Sequence, residues 1–473
     1  MKTYFSLGAI GAEALARMCE GEPIGLEYTK ASLTGICTDS READANTAFC
    51  ALRGERVDGH DYIGAAIALG CRVILCEDYR EEIGKAGAIA IVCKNVEEAL
   101  SSLAKNYRRQ LACKTVAVTG SVGKTTTKDM IAAVLSKGFS SFKTKGNFNS
   151  VIGMPLSMLE IPKNTDYAVL EMGMSGFGEI ERLSLTAEPE IAVITTIGTS
   201  HMEMLGSREN ICRAKLEVLC GLKRGGLLLL NGDEPLLENV YGKSYNTLYI
   251  STLRENADFF AKNIRVETDC TRFDIVYRNK TVKDLCVRVV GRHNVYSALF
   301  AFAIGTLCNM TEENIREGLL LFSPERLRQN IVSVGNLTLM EDCYNASPES
   351  MQAALDVLKA YTSLSGGRSV AVLGDMLELG EESTALHRQV GAYAARLGIA
   401  KLFVLGKGGS YIAVGAQQCG VRSDAIEVHK EYRDLESVGA ALMKLLEPGD
   451  VVLFKASRAL GIERLIEYVK SHL

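Results

Sequence analysis

Residues Thr115-Val-Ala-Val-Thr-Gly-Ser-Val-Gly-Lys-Thr-Thr-Thr-Lys-Asp-Met130 decide how this chain reads. Thr115 to Thr119 is a run rich in β-branched residues and predicts a buried strand. Gly120-Ser121-Val122-Gly123-Lys124-Thr125 then turns into a helical pattern. Met130, Ile131, Val134 and Leu135 share one face of it, and Gly138 stops it. Strand, glycine turn, Lys-Thr and helix gather backbone N–H groups around phosphate oxygens. The helix N-terminus adds partial positive charge, and a threonine hydroxyl can sit on magnesium. The loop is shorter than the full Walker pattern, whose earlier glycine position falls on Val118 inside the strand. The alternative is an ordinary glycine turn with Lys124 solvated. A turn, however, needs neither the lysine nor three threonines in a row. The stretch therefore implies a site for a nucleoside triphosphate.

At 473 residues the length suggests roughly three domains. With 47% apolar and 23% charged residues the chain buries real cores and is not disordered. A net charge of −4 argues against a protein that binds nucleic acid by neutralising phosphates. The 14 cysteines are scattered singly, without a CxxC pair, and read as reduced core thiols of a cytoplasmic protein. Met1-Lys-Thr-Tyr-Phe5 lacks the apolar run of a signal peptide, and no segment is long and apolar enough to span a bilayer. No membrane insertion is expected, and a monomer is.

The expected fold class is α/β in three domains: a small N-terminal α/β domain at 1–110, a central phosphate-loop domain with a mostly parallel sheet at 111–323, and a C-terminal Rossmann-like domain at 324–473. Strands are expected at 49–52, 73–76 and 88–92, with helices at 62–69 and 100–111. In the centre, 167–171 and 191–197 are continuous apolar runs, as for parallel strands buried on both faces, and 227–230 is another strand that ends in a turn at Asn231-Gly-Asp233. Residues 258–290 alternate as hairpins, and 296–308 returns to helix. The third part gives strands at 337–341, 369–373, 401–405 and 451–454, with helices at 350–360, 383–397 and 462–469. Gly374 and Gly406 lie just beyond strand ends, where such folds place ligands.

A magnesium–nucleotide site needs carboxylates near its loop. Glu171 ends a buried strand and is the candidate; a solvated strand terminus is the alternative. His201 also follows a strand end, although a lone histidine is more often structural. Lys215, in Arg213-Ala-Lys-Leu-Glu217, reads alone as a surface lysine. His293-Asn294 opens a helix and could equally be an N-cap pair.

In order, Thr119-Gly-Ser-Val-Gly-Lys-Thr-Thr-Thr-Lys128, Gly146-Asn-Phe-Asn-Ser-Val-Ile-Gly-Met-Pro155, Leu170-Glu-Met-Gly173, Ser200-His201, Ala214-Lys-Leu-Glu217 and Gly291-Arg-His-Asn294 resemble the central domain of the Mur ligases. These are ATP-dependent amino-acid ligases of peptidoglycan precursor synthesis. Asp342-Cys-Tyr-Asn-Ala-Ser-Pro-Glu-Ser-Met351, Leu373-Gly-Asp-Met-Leu-Glu-Leu-Gly380 and Phe454-Lys-Ala-Ser-Arg458 are similar to the branch that adds D-alanyl-D-alanine. Thr38-Asp-Ser-Arg41, Arg53-Gly54 and Asp58-Gly-His60 resemble its UDP-sugar-binding domain.

The resemblance implies that ATP phosphorylates the terminal carboxylate of UDP-N-acetylmuramoyl-tripeptide, and that the amine of D-alanyl-D-alanine displaces phosphate. It implies that Gly120, Ser121, Val122, Gly123, Lys124, Thr125 and Thr126 cradle the nucleotide, with Lys124 on the β/γ-phosphates. Thr125 and Glu171 would hold one of two magnesium ions, His201 the second, and Lys215 would be carbamylated near them. Asn294 would meet adenine, while Arg326 and Asp342 would reach the nucleotide from the C-terminal domain as it closes. Asn345, Ser347 and Lys455 would contact substrate or intermediate, and Ser40 and Arg41 the UDP-sugar. The chain has Val122 and Thr196 where many relatives have asparagine, and no glycine before the arginine in Pro324-Glu-Arg-Leu-Arg328, which leaves Arg326 and Arg328 as competing choices. It lacks the Asp-Asn-Pro-Arg motif of the diaminopimelate- or lysine-adding relative. Competing readings are a tripeptide-forming relative, a folylpolyglutamate synthase, and a catalytically silent nucleotide-binding scaffold.

Overall fold

The apolar runs of the sequence become strands of three large sheets in the computed structural model, which describes residues 1–473 apart from 29, 55 and 241–243. Among the described residues the central sheet has nine strands. In spatial order they are Ser141–Lys143, Tyr167–Glu171, Lys114–Thr119, Ile191–Ile194, Leu227–Asn231, Asn246–Ser251, Phe259–Val266, Thr271–Tyr277 and Lys280–Val287. The first seven run parallel, and the last two close the edge as antiparallel hairpins. Alternation explains why the runs are continuously apolar. Val116, Val118, Val169, Val193 and Leu229 face the helices Lys124–Leu135 and Asn294–Leu307, while Ala117, Leu170, Ile194, Leu228 and Leu230 face the opposite core.

The strand that carries the phosphate loop sits between Tyr167–Glu171 and Ile191–Ile194. From it the chain leaves to one side and then crosses to the other, so a crevice opens where the order reverses. The register pairs Glu171 with Val118 and Ile194 with Thr119, which brings three strand ends together. The expected strand 191–197 stops at Ile194, because Thr195 and Thr196 turn to line the loop.

The N-terminal sheet has parallel strands Gly35–Cys37, Thr47–Cys50, Val73–Cys76 and Ile89–Val92 at its centre, with Lys2–Tyr4 and Glu22–Ile24 antiparallel at the edges. Its exit helix starts earlier than expected, at Val96, because Asn95 caps it by accepting from the Glu98 N–H at 2.9 Å. Arg108, near the end of that helix, is buried and donates to the Thr115 hydroxyl and the Cys113 carbonyl. The connector is thereby fastened to the central sheet. Ten of the 14 thiols are buried, as expected of core thiols; six of these are Cys19, Cys37, Cys50, Cys71, Cys76 and Cys93 of this N-terminal domain.

The C-terminal sheet runs Asn330–Val334, Leu337–Glu341, Val451–Lys455, Ser369–Leu373, Lys401–Leu405 and Ile426–His429, parallel but for the first strand. The last strand of the chain inserts between two earlier ones, so Asp342 and Lys455 emerge side by side. Helix Pro348–Ser365 is longer than expected at both ends: it starts early at a capping box formed by Ser347 and Ser350, and it runs on to Gly366, whose left-handed backbone ends it. Gly374 and Gly406 do not face a ligand crevice. A Cβ on Gly374 would meet Ala456 and Leu460, and one on Gly406 would meet Asp375. Both allow close packing. No helix among the described residues is long and apolar enough to cross a membrane.

Candidate active site

A cavity of about 680 Å³ lies between the central and C-terminal domains, within the size range of small-molecule sites. Ser121 to Thr126 form one wall. Gly120 has φ +144°, and a Cβ there would stand 1.9 Å from the Thr195 hydroxyl, so only glycine allows the loop to pass. Thr195 in turn donates to the Val122 carbonyl at 2.6 Å, and the Ser121 N–H donates to the Thr196 carbonyl at 2.8 Å. Thr196 thus holds the loop through its backbone, and its hydroxyl reaches only to Glu234, 3.4 Å away.

Lys124 is not solvated. Its ammonium donates to the carbonyls of Gly120 at 2.9 Å and Ser121 at 3.4 Å. Burial lowers its pKa, an effect that nearby Glu171 only partly opposes. Thr125 is buried behind it. Glu171 is buried as well, which removes the solvated-terminus reading. Its Oε1 accepts from Asn149 at 2.8 Å, whereas Oε2 has no hydrogen-bond partner among the described residues. The hydroxyls of Thr119 and Ser121 are buried and unpartnered too. Three polar atoms without partners at one loop mark a place built for a ligand rather than a packed core.

His201 lines the cavity and stands at φ +66°. Its Nδ1 lies 2.6 Å from Glu378 Oε2 of the C-terminal domain, and this bond holds the Glu378 carboxyl below the usual range. Lys215 is not a surface lysine. It is 1% exposed and makes no hydrogen bond or ion pair among the described residues. Burial, followed by the nearby Lys124 charge, drives its pKa well below the ordinary lysine value.

The Asn294 side chain is no N-cap: it occupies the first helical turn, and His293 before it makes no capping bond. Instead Asn294 donates to the Val290 carbonyl at 3.1 Å and to Gln329 Oε1 at 2.9 Å. The Asn294–Gln329 bond joins the two domains at the cavity, and the Gln329 backbone N–H donates onward to Asp342 Oδ1 at 3.3 Å. Lys455 is buried, with its ammonium 2.7 Å from Asp342 Oδ2 and 3.2 Å from the Asn345 carbonyl. Asn345 and Ser347 line the same wall.

Two expected groups lie elsewhere. Arg326 is exposed and pairs with Glu467 at 3.1 Å, outside the cavity. Arg328 lines the cavity in its place, stacked 3.9 Å over the Tyr344 ring, with a buried Nε lacking a partner. Left-handed backbone at Leu327 and Gln329 turns the one arginine inward and the other out. Arg328→Ala is expected to lower kcat/KM for ATP on the order of 10–100-fold, as for loss of a charged hydrogen bond, and Arg326→Ala to leave it nearly unchanged. Steady-state kinetics in ATP check this. Ser40 and Arg41 sit in the N-terminal domain, away from this cavity. Ser40 is buried, and Arg41 is exposed and paired with Asp39 at 2.6 Å.

Sequence reasoning passed over Lys128, Glu349 and Glu378. Lys128 is fully buried, 3.8 Å from Glu171 Oε2 and 3.7 Å from Glu325 Oε1. Its place four residues after Lys124 on one helix face was a usable signal. Glu349 accepts from the Thr199 N–H at 2.9 Å across the domain boundary; contacts between distant segments leave no such trace.

The fold and cavity define a three-domain phosphate-loop protein whose nucleotide wall faces a lysine–aspartate pair of a Rossmann-like domain. Its residues 118–305 match the model of the Mur ligase middle domain, 327–458 that of the Mur ligase glutamate ligase domain, and 32–108 that of the Mur ligase family catalytic domain. The chain belongs to the Mur ligase family. It is 38% identical over 96% of both chains to the UDP-N-acetylmuramoyl-tripeptide--D-alanyl-D-alanine ligase of Bacillus subtilis. A crystal structure of MurF from Acinetobacter baumannii superposes with a TM-score of 0.88 at 29% identity, covering 98% of this chain and 99% of that one. MurF ligase from Thermotoga maritima in complex with ADP gives 0.81 at 28% identity, covering 92% and 97%.

Proposed function

We propose that this chain uses ATP to join D-alanyl-D-alanine to UDP-N-acetylmuramoyl-tripeptide through an acyl phosphate, giving the UDP-muramoyl-pentapeptide. The observation that carries the reading is the shared cavity: the phosphate loop on one wall and Asp342, Asn345 and Lys455 on the other. It agrees with the names of relatives matched over the full length. The γ-phosphoryl group passes to the tripeptide carboxylate and ADP remains. The amine then attacks the acyl carbon and a C–N bond forms; the C–O bond to phosphate breaks with its electron pair on the departing phosphate, and the nitrogen gives up one proton. Such chemistry rests on positioning and charge neutralisation. Loop N–H groups and Lys124 hold the phosphates. Arg328 and Lys455 supply positive charge from the C-terminal side, and the two docked domains exclude water that would hydrolyse the acyl phosphate.

Two donors suit a hard divalent cation, a threonine hydroxyl and a carboxylate oxygen without a hydrogen-bond partner among the described residues, and the His201 imidazole, a borderline nitrogen donor, lines the same cavity. Thr125 and Glu171 would hold one magnesium ion, and His201 a second. Bound magnesium neutralises phosphate oxygens. Lys215 supports carbamylation, because burial without a counter-ion among the described residues pushes it toward the neutral amine. That amine adds to CO2 with release of a proton and becomes an anion. Ser40 and Arg41 belong to the UDP-sugar contacts in this reading. Domain boundaries at 110/111 and 323/324 are supported by the three sheets falling on either side of them. A monomer in the cytoplasm, without nucleic-acid partners, completes it; the buried thiols suit a reducing compartment.

The test is ATP-dependent joining of UDP-N-acetylmuramoyl-tripeptide to D-alanyl-D-alanine, read by product mass. One phosphate is expected per bond formed. Product only with single amino acids would place the chain with the tripeptide-forming relatives, and no product with any acceptor would leave a scaffold.

A further inference from the structure

His201 and Glu378 come from different domains, 177 positions apart in the chain, yet meet at 2.6 Å. The contact is doubly fixed. The Glu203 N–H donates to the Glu378 carbonyl at 3.1 Å, and His201 and Glu378 stand in left-handed backbone, at φ +66° and +64°. With Nδ1 against a carboxylate, Nε2 is the ring nitrogen left over for a ligand in the cavity that His201 lines. Histidines that bind a metal through one nitrogen commonly donate the other N–H to a carboxylate, which sets tautomer and basicity.

We propose that Glu378 is a positioning residue delivered by the C-terminal domain: it orients His201 toward a divalent cation, so that cation binding and domain docking favour each other. The inference rests on the metal reading above. The Glu378 side chain is 57% exposed. An ion pair so exposed adds little to stability, so its replacement acts through His201 rather than through the fold. Linkage makes the effect reciprocal: whatever docking adds to cation affinity, the cation adds to docking.

The experiment uses full-length protein labelled with ¹⁵N-histidine, which reports six rings, with His201 assigned through H201A. Mn²⁺ affinity is measured on the same samples by electron paramagnetic resonance of the free ion. The expected result is an Nδ1–H tautomer at His201 in the parent, lost in E378A together with about tenfold in Mn²⁺ affinity. E378Q keeps an acceptor oxygen and is expected to restore tautomer and affinity. In the H201A background, E378A is expected to cost nothing further. A parent that binds Mn²⁺, with E378A unchanged in tautomer and affinity, overturns this inference alone. So does an E378A loss that persists in H201A, which would mean a general effect of docking. A parent that takes up no Mn²⁺ overturns the metal reading itself.

Discussion

Lys124→Ala is expected to lower ATP-dependent phosphate release roughly a thousandfold while the protein stays folded. The argument sets two magnitudes against each other. In the structure the Lys124 ammonium bonds two carbonyls of its own loop and nothing in the core. Losing two such bonds beside the cavity costs about 1 kcal/mol each. The same ammonium facing a phosphoryl group in transfer acts where water is excluded, and there a single missing donor costs on the order of 10²–10³ in rate. Phosphate release and circular dichroism on one sample separate the two. A variant that unfolds shows that Lys124 is structural, and one that stays fully active removes the phosphate reading.

Lys215→Ala is expected to lower ligation roughly several hundredfold, with or without added bicarbonate. In the parent, depletion of bicarbonate is expected to lower activity and its return to restore it. The physical reason is the absence of a counter-ion among the described residues around a fully buried lysine. Ionised, that side chain would be costly to bury. Its folded pKa lies below the unfolded one, so for the unmodified amine the unfolded chain binds more protons. Stability therefore rises with pH up to the ordinary lysine value and falls as pH drops toward the folded one. Lys215→Met is expected to flatten that slope, read by urea unfolding at several pH values. A Lys215→Ala protein with full ligase activity would remove the carbamate from the mechanism.

Much of the fold was legible because buried parallel strands write themselves as continuous apolar runs. Val73–Cys76, Leu337–Glu341, Ser369–Leu373 and Lys401–Leu405 fall where the runs do. Boundaries slipped where side chains decided them, as at Asn95 and Ser347, whose caps extend helices beyond the apolar pattern. The phosphate loop was legible because its glycines and lysine are contiguous. The arginine in Pro324-Glu-Arg-Leu-Arg328 was not. Composition is blind to the left-handed backbone at Leu327 and Gln329, on either side of the guanidinium that enters the cavity, and to the Tyr344 ring it stacks on. Lys215 was misleading for a related reason: a charged residue in a polar helix reads as surface until the packing around it is known. The pairs His201–Glu378 and Thr199–Glu349 are the least legible class, since each depends on how two separately folded domains meet.

The thiols of the N-terminal domain carry a consequence for how that part of the molecule breathes. Cys19, Cys37, Cys50, Cys71, Cys76 and Cys93 are all shielded, and burial pushes Cys37 and Cys76 up to about 12 and Cys93 to about 11. Shielded and protonated sulfur is inert to alkylation. Each becomes reactive only when its own surroundings open, so the rate at which these sulfurs capture an alkylating reagent measures the opening free energy of this lobe, separately from its two neighbours.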